Sequence, residues 1–282
     1  MKKLIFQLFI GTFIILIMVS GLFLYFQPKN VHKRSISSPP IKETKLDLTD
    51  QTTYTFEEAS KLFTVDQSLF LVNKDHPIGA TYESNIAEYK DSGVYMNECV
   101  LDNYAALSAT ITKKFNNKLY VSSSYRSYED QERVLKEEGP EIAALPGTSE
   151  HQTGLAQDVY INYFGGGAFF KSDVGKYVNS NCQNFGYIIR YPYAMQDYTG
   201  FAFEPWHIRY VGLPHSKIIT ENSIVFDDYA SLYEIGKYYE YDGYLIARMP
   251  MDEIKIPNGY SDVLLSEDGL GYCFVTINTK TT

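Results

Sequence analysis

An apolar stretch at the amino terminus sets the first limit on this chain. From Leu4 to Phe26, behind Lys2 and Lys3, a run of aliphatic and aromatic side chains is broken only by Gln7, Thr12, Ser20 and the glycines Gly11 and Gly21. At about 1.5 Å of rise per helical residue, such a run crosses a hydrocarbon core of about 30 Å. A cleavable secretion signal has a shorter apolar core, about 7–15 residues, and a small-residue exit. This run instead ends in Leu24-Tyr25-Phe26-Gln27-Pro28, so an uncleaved single-pass membrane anchor is expected over residues 1–27. Lys2 and Lys3 on one side face Lys29, Lys33 and Arg34 on the other, and the positive-inside rule gives no orientation.

Behind the anchor, residues 28–54 carry Ser-Ile-Ser-Ser-Pro-Pro and then mostly polar residues without apolar periodicity, which reads as a flexible tether. Folded structure is expected from residue 55. Val100, Leu101, Tyr104, Leu107, Ile111 and Phe115 recur at steps of three and four, the mark of a helix with one buried face. Leu119–Ser123 reads as a strand. Ser127 to Asp130 offers a helix start, with Gly139-Pro140 as the stop. Ser172-Asp173 opens another helix that Gly186 closes, and the runs from Tyr187 and from Trp206 read as strands. Strands at irregular spacing with helices between them predict an α+β domain over 55–222, a mixed, largely antiparallel sheet with helices packed on it. Beyond it, residues 223–282 are expected to form a short helix and a small β-rich appendage, with turns at Asn258-Gly259 and Asp268-Gly269.

Composition excludes some functions. A net charge of −9, with no Lys/Arg stripe in the folded part, argues against a nucleic-acid partner. Cys99, Cys182 and Cys273 lie far apart without metal-ligand spacing. They are expected to be buried or idle thiols, with a Cys182–Cys273 or Cys99–Cys182 bridge as the other possibility.

The chemistry concentrates around two of the five histidines. One lies in Ser149-Glu150-His151-Gln152-Thr153-Gly154-Leu155-Ala156-Gln157-Asp158, the other in Glu204-Pro205-Trp206-His207. Imidazole nitrogen and carboxylate oxygen are proper zinc ligands, and a catalytic zinc keeps three protein ligands and one open position. His151, Asp158 and His207 can fill those three, and the break at Gly154 suits a loop turning into a strand. The chain lacks His-Glu-x-x-His, which excludes the common helix-based metalloprotease arrangement. Glu204, three residues before His207, is placed to act as general base toward a water of lowered pKa.

The pattern Ser-x-His-x-x-Gly-x-Ala-x-Asp followed by Glu-Pro-Trp-His resembles the D-alanyl-D-alanine metallopeptidase family, which groups with lysostaphin-type peptidases and hedgehog domains, and within it the VanY-type D,D-carboxypeptidases. The likeness runs from about Ser68 to the C-terminus, through Ser-Ser-Tyr-Arg-Ser-Tyr-Glu-Asp-Gln and Tyr-Ile-Ile-Arg-Tyr-Pro. It implies Zn2+ on His151, Asp158 and His207, Glu204 as catalytic base, and Arg126 stabilising the carbonyl oxygen in the transition state. It also implies substrate contacts from Gln131 and Ser149. The activity implied is removal of the terminal D-Ala from peptidoglycan precursor stem peptides, with a bearing on vancomycin resistance. Such a substrate places the domain on the extracytoplasmic face of a bacterial membrane.

Plainer readings stand beside these. Asp158 can cap a turn, Glu204 can be a solvated residue before a proline, and Arg126 can pair with Glu129 or Asp130. Trp206, the only tryptophan, suits a pocket wall or a core position. His76 and His215 read as ordinary and His32 as idle. The alternative functions are an L,D-carboxypeptidase or a peptidoglycan endopeptidase on the same zinc set, and a non-catalytic zinc-stabilised binding module. The absence of Ser-x-x-Lys predicts a β-lactam-insensitive, chelator-sensitive hydrolase.

Overall fold

A computed structural model describes residues 41–46, 48–140 and 143–281, and these described residues belong to one compact unit. The anchor expected over residues 1–27 lies outside the described residues. Among the described residues no helix is long and apolar enough to cross a membrane.

The expected α+β architecture is present, with helices packed on largely antiparallel sheets. A four-stranded antiparallel sheet runs in the order Tyr120–Ser123, Ala156–Tyr160, His207–Tyr210, Tyr187–Ile189. The helix Leu101–Phe115 buries Tyr104, Leu107 and Ile111. They belong to a core shared with Leu155, Val159 and Ile208 of the sheet region and with Val174 and Val178 of the helix Asp173–Asn181. Cap chemistry follows the sequence. The Ser127 hydroxyl accepts from the Asp130 amide to start Tyr128–Glu138, and the Ser172 hydroxyl accepts from the Gly175 amide to start Asp173–Asn181. A 3-10 turn then ends at Gly186, at φ +80°.

Two expectations are corrected. The C-terminal strands are no small appendage: they form a six-stranded sheet that also recruits Lys42–Glu43 and Thr64–Asp66. This sheet is hydrogen-bonded to the rest, the Leu69 amide donating to the Ser266 hydroxyl oxygen and the Leu71 amide to the Asp268 carbonyl. The tether expected to reach residue 54 ends earlier, because Gln51–Tyr54 pairs with Ile254–Pro257 and Ile41 is 2% exposed. Both errors have one cause: the partners of these short polar strands lie about 200 residues away, and local pattern is blind to such pairing.

Removing residues 1–54 is therefore expected to destabilise the protein by about 2–3 kcal/mol relative to removing residues 1–40, since burial of one isoleucine alone contributes about 1.5–3 kcal/mol. Urea denaturation of the two truncated chains, compared at equal slope, measures the difference. Equal midpoints would mean that this segment adds nothing to the folded unit.

All three cysteines are free, so neither bridge forms, and burial pushes the thiols of Cys182 and Cys273 up to about 12. His215 is fully buried between Tyr229 Oη and Thr276 Oγ1, at 2.8 and 2.9 Å. Burial lowers it to about 3, a neutral structural imidazole that ties the helix His215–Glu221 to the large sheet.

Candidate active site

Strand pairing brings the two motifs together. Asp158 lies directly opposite His207 across the antiparallel pair, and opposite Ser123 on its other side. Residues paired this way project side chains to the same face. His151 arrives from the 3-10 turn Glu150–Thr153, which Gly154 closes at φ +68°. A Cβ at Gly154 would meet the Asn97 amide nitrogen at 2.6 Å, and that amide donates to the Gly154 carbonyl at 2.9 Å. Only glycine allows both the left-handed turn and this approach, which is why the motif breaks there before entering the strand.

The result is a compact donor set: ligand atoms of His151, Asp158 and His207 all lie within 4.8 Å of one another. His151 Nε2 is 3.4 Å from Asp158 Oδ2, and His207 Nδ1 is 3.1 Å from Asp158 Oδ1. His151 Nδ1 sits 2.8 Å from the Ser124 carbonyl, an acceptor that fixes the proton on Nδ1 and leaves Nε2 free to ligate. Asp158 Oδ1 is buried without a hydrogen bond. Two imidazole nitrogens and a carboxylate converging on one point, with a buried oxygen left over, fit a zinc ion with a fourth position open.

The electrostatics agree. Burial opposes ionisation of Asp158, yet His151 and His207 hold its carboxyl well below the carboxylate range. Burial also opposes a charged His207, yet Asp158, Glu150 and Glu204 push it up to about 9. A centre that draws positive charge this strongly is suited to a cation.

All eight sequence-predicted site residues, His151, Asp158, His207, Glu204, Arg126, Gln131, Ser149 and Trp206, line one cavity of about 220 Å³. Glu204 Oε2 is 3.7 Å from His207 Nδ1. Its backbone is held by Glu204 N donating to the Tyr191 carbonyl and His207 N donating to the Glu204 carbonyl. Burial raises its carboxyl above 4.5, and Asp158 adds to the rise against the opposing pull of His207.

Arg126 does not pair with Glu129 or Asp130. Its Nη1 donates to Gln131 Oε1 at 2.8 Å and its Nη2 to Ser123 Oγ at 2.9 Å, while Asp130 pairs with Arg133. Gln131 is fully buried and its Nε2 donates to the Ala144 carbonyl, so this residue holds Arg126 as well as lining the cavity. Trp206 fills both expected roles, packing on the core while facing the cavity.

Sequence reasoning missed Glu150, Arg190 and Arg209. Glu150 Oε1 accepts from Arg190 Nε at 2.8 Å and Arg209 Nη1 at 3.0 Å, and Arg190 also grips Asp227 through both terminal nitrogens. Burial opposes the charge on Glu150, but the two guanidiniums hold its carboxyl far below 4.5. Burial likewise opposes both cations. Two carboxylates overcome it and raise Arg190, whereas Arg209, with one shared carboxylate and Arg190 as neighbour, is lowered. The available signal was an arginine inside each of two otherwise apolar strand runs, since a charged residue there needs a buried partner.

Residues 93–213 match the family model described as VanY: D-alanyl-D-alanine carboxypeptidase. The chain is 35% identical over 142 residues to a D-alanyl-D-alanine carboxypeptidase of Enterococcus faecium, covering 49% of this chain and 45% of that protein. It is also 35% identical over 179 residues to VanXYC of Enterococcus gallinarum, a bifunctional D-Ala-D-Ala dipeptidase and D-Ala-D-Ala carboxypeptidase, covering 57% of this chain and 93% of the relative. Among solved structures, the vancomycin-resistance D,D-dipeptidase VanXYg, in complex with a D-Ala-D-Ala phosphinate analogue, matches with a TM-score of 0.66 at 27% identity, over 80% of this chain and 98% of its own. A mutant of the D,D-pentapeptidase VanY from a VanB-type resistance cassette, in complex with Zn(II), matches with a TM-score of 0.51 at 29% identity, over 58% and 99%. The chain thus spans under half the length of the Enterococcus faecium relative and nearly all of VanXYC. On this agreement of motif, fold and site, the chain belongs to the VanY family of D-alanyl-D-alanine carboxypeptidases.

Proposed function

We propose that this protein is a zinc D,D-carboxypeptidase, anchored by residues 4–26, that removes the terminal D-Ala from peptidoglycan stem pentapeptides on the outer face of a bacterial membrane. A role in vancomycin resistance is part of the proposal, since relatives bear that description. The observation that carries it is the meeting of the His151, Asp158 and His207 donors with Glu204 and Arg126 in one cavity.

Zinc on those three residues would polarise the scissile carbonyl and lower the pKa of a water toward about 7. Glu204 is placed to accept the proton of the attacking water and to return it to the leaving D-Ala amine. Arg126, clamped by Gln131 and Ser123, presents a fixed cation to the oxygen that gains charge, an interaction strongest in the transition state. Trp206 and Tyr191 wall the cavity and limit water access.

Incubation with a synthetic muramyl pentapeptide is expected to release free D-alanine. A chelator should abolish release, added zinc should restore it, and penicillin should leave it unchanged. Product masses decide among the bonds: a tetrapeptide substrate cut in preference would favour an L,D-carboxypeptidase, and cleaved crosslinks an endopeptidase. Stoichiometric zinc without any hydrolysis would favour the binding module.

A further inference from the structure

The Glu150 carboxylate is divided between two tasks. Oε1 is saturated by the two arginines, while Oε2 is buried with no hydrogen-bond partner. Facing it at 3.8 Å is His207 Nε2, which is also buried and also has no partner. A buried polar group left unpaired is destabilising, and a closure of under about 1 Å would bring this pair to hydrogen-bond distance. The opposite ring nitrogen, Nδ1, is the one aimed at Asp158 and Glu204. We infer that Glu150 is a positioning residue for the metal centre: its Oε2 accepts a hydrogen bond from the His207 Nε2–H, which keeps the ring proton on Nε2 and so reserves the Nδ1 lone pair for the ion. This rests on the metal-site reading and not on any peptide specificity.

The arrangement makes the conservative substitution informative. In Glu150→Gln, the Arg190 and Arg209 donors claim the amide oxygen, so the amide NH2 turns toward His207 Nε2. A donor there favours the tautomer with its proton on Nδ1, the form that cannot ligate. Zinc affinity of the full-length chain, measured by competition with a chromogenic chelator, should fall about 10–100-fold, the usual scale for losing such a partner. Asp227→Asn weakens the same ion network beyond Arg190, so it should lower thermal stability while leaving zinc affinity unchanged. Because Glu150→Gln removes a buried charge and can compromise folding, the wild type carries an independent test. In zinc-loaded protein labelled with 15N-histidine, the long-range 1H–15N spectrum should show His207 protonated at Nε2 and metal-bound at Nδ1. Zinc on Nε2, or a Glu150→Gln chain that binds zinc as tightly as wild type, overturns the inference while the metal site stands. Absence of zinc binding by wild type overturns both.

Discussion

Glu204→Gln is expected to lower kcat by about 10²–10⁴, the usual contribution of a positioned general base, while zinc stoichiometry stays at the wild-type level. The two outcomes separate because Glu204 stands beside the donor set without belonging to it: its carboxylate is 3.7 Å from His207 Nδ1, and the three convergent ligands are complete without it. Glutamine preserves the shape of the side chain and the backbone bonds to Tyr191 and His207, so the lost rate reports proton transfer and not misplacement. The wild-type pH profile supplies a second check. Burial raises the Glu204 pKa, and only the carboxylate accepts a proton, so activity should be lost as pH falls through a value above the ordinary 4.5. That acid limb should be missing from whatever residual rate the Gln variant retains. A variant within tenfold of wild type would move the base to another residue, and zinc lost along with activity would make Glu204 a ligand.

The legibility of this site followed chemical scarcity. With five histidines in the chain, two of them in the carboxylate-bearing motifs Ser149–Asp158 and Glu204–His207, the donor set is legible in the sequence, and the pairing of Asp158 opposite His207 supplies the convergence that spacing alone only suggests. The catalytic sheet and its main helices were readable because their periodicity and caps are local. Three things were not. The strands Lys42–Glu43 and Gln51–Tyr54 are short, polar and largely exposed, and only their distant C-terminal partners make them strands. The C-terminal strands were seen individually, but their union with Thr64–Asp66 into the larger sheet is tertiary information. Glu150 was hidden by its own neighbour, since a carboxylate beside a candidate ligand draws less attention than the ligand. Its importance appears only when Arg190, just past the strand Tyr187–Ile189, and Arg209, within the strand His207–Tyr210, meet it.

That meeting makes Arg209→Met the substitution expected to cost the most stability, about 3–5 kcal/mol, because it breaks a buried ion set by removing one member. Arg209 is fully buried and uses every nitrogen: Nε donates to the Tyr210 carbonyl, Nη1 to Glu150, and Nη2 to the carbonyls of Ser68 and Phe70. The Ser68–Leu71 segment leads directly into the bonds with Ser266 and Asp268, so this one guanidinium joins the catalytic sheet to the six-stranded sheet. Methionine can fill the volume and rest against Phe226, but it leaves three carbonyls without a donor and Glu150 with Arg190 alone. The pH dependence has a definite sign. A carboxyl whose folded pKa is depressed contributes stability above its unfolded pKa and loses that contribution as pH falls. Glu150 is such a group in the wild type, and with one arginine gone its depression shrinks. The stability gap between wild type and variant should therefore be widest near neutral pH and narrow below about 4.5. Urea unfolding across that range measures it. A gap under 1 kcal/mol at neutral pH would show that the carbonyls and Glu150 find other donors, and a gap that stays constant into acid would assign the loss to packing and not to charge. Since a buried ion set replaced as a whole by apolar residues can be neutral, the single substitution tests the cost of breaking the set. A triple replacement of Glu150, Arg190 and Arg209 that restored stability while losing zinc would show that the network is kept for the metal centre it adjoins.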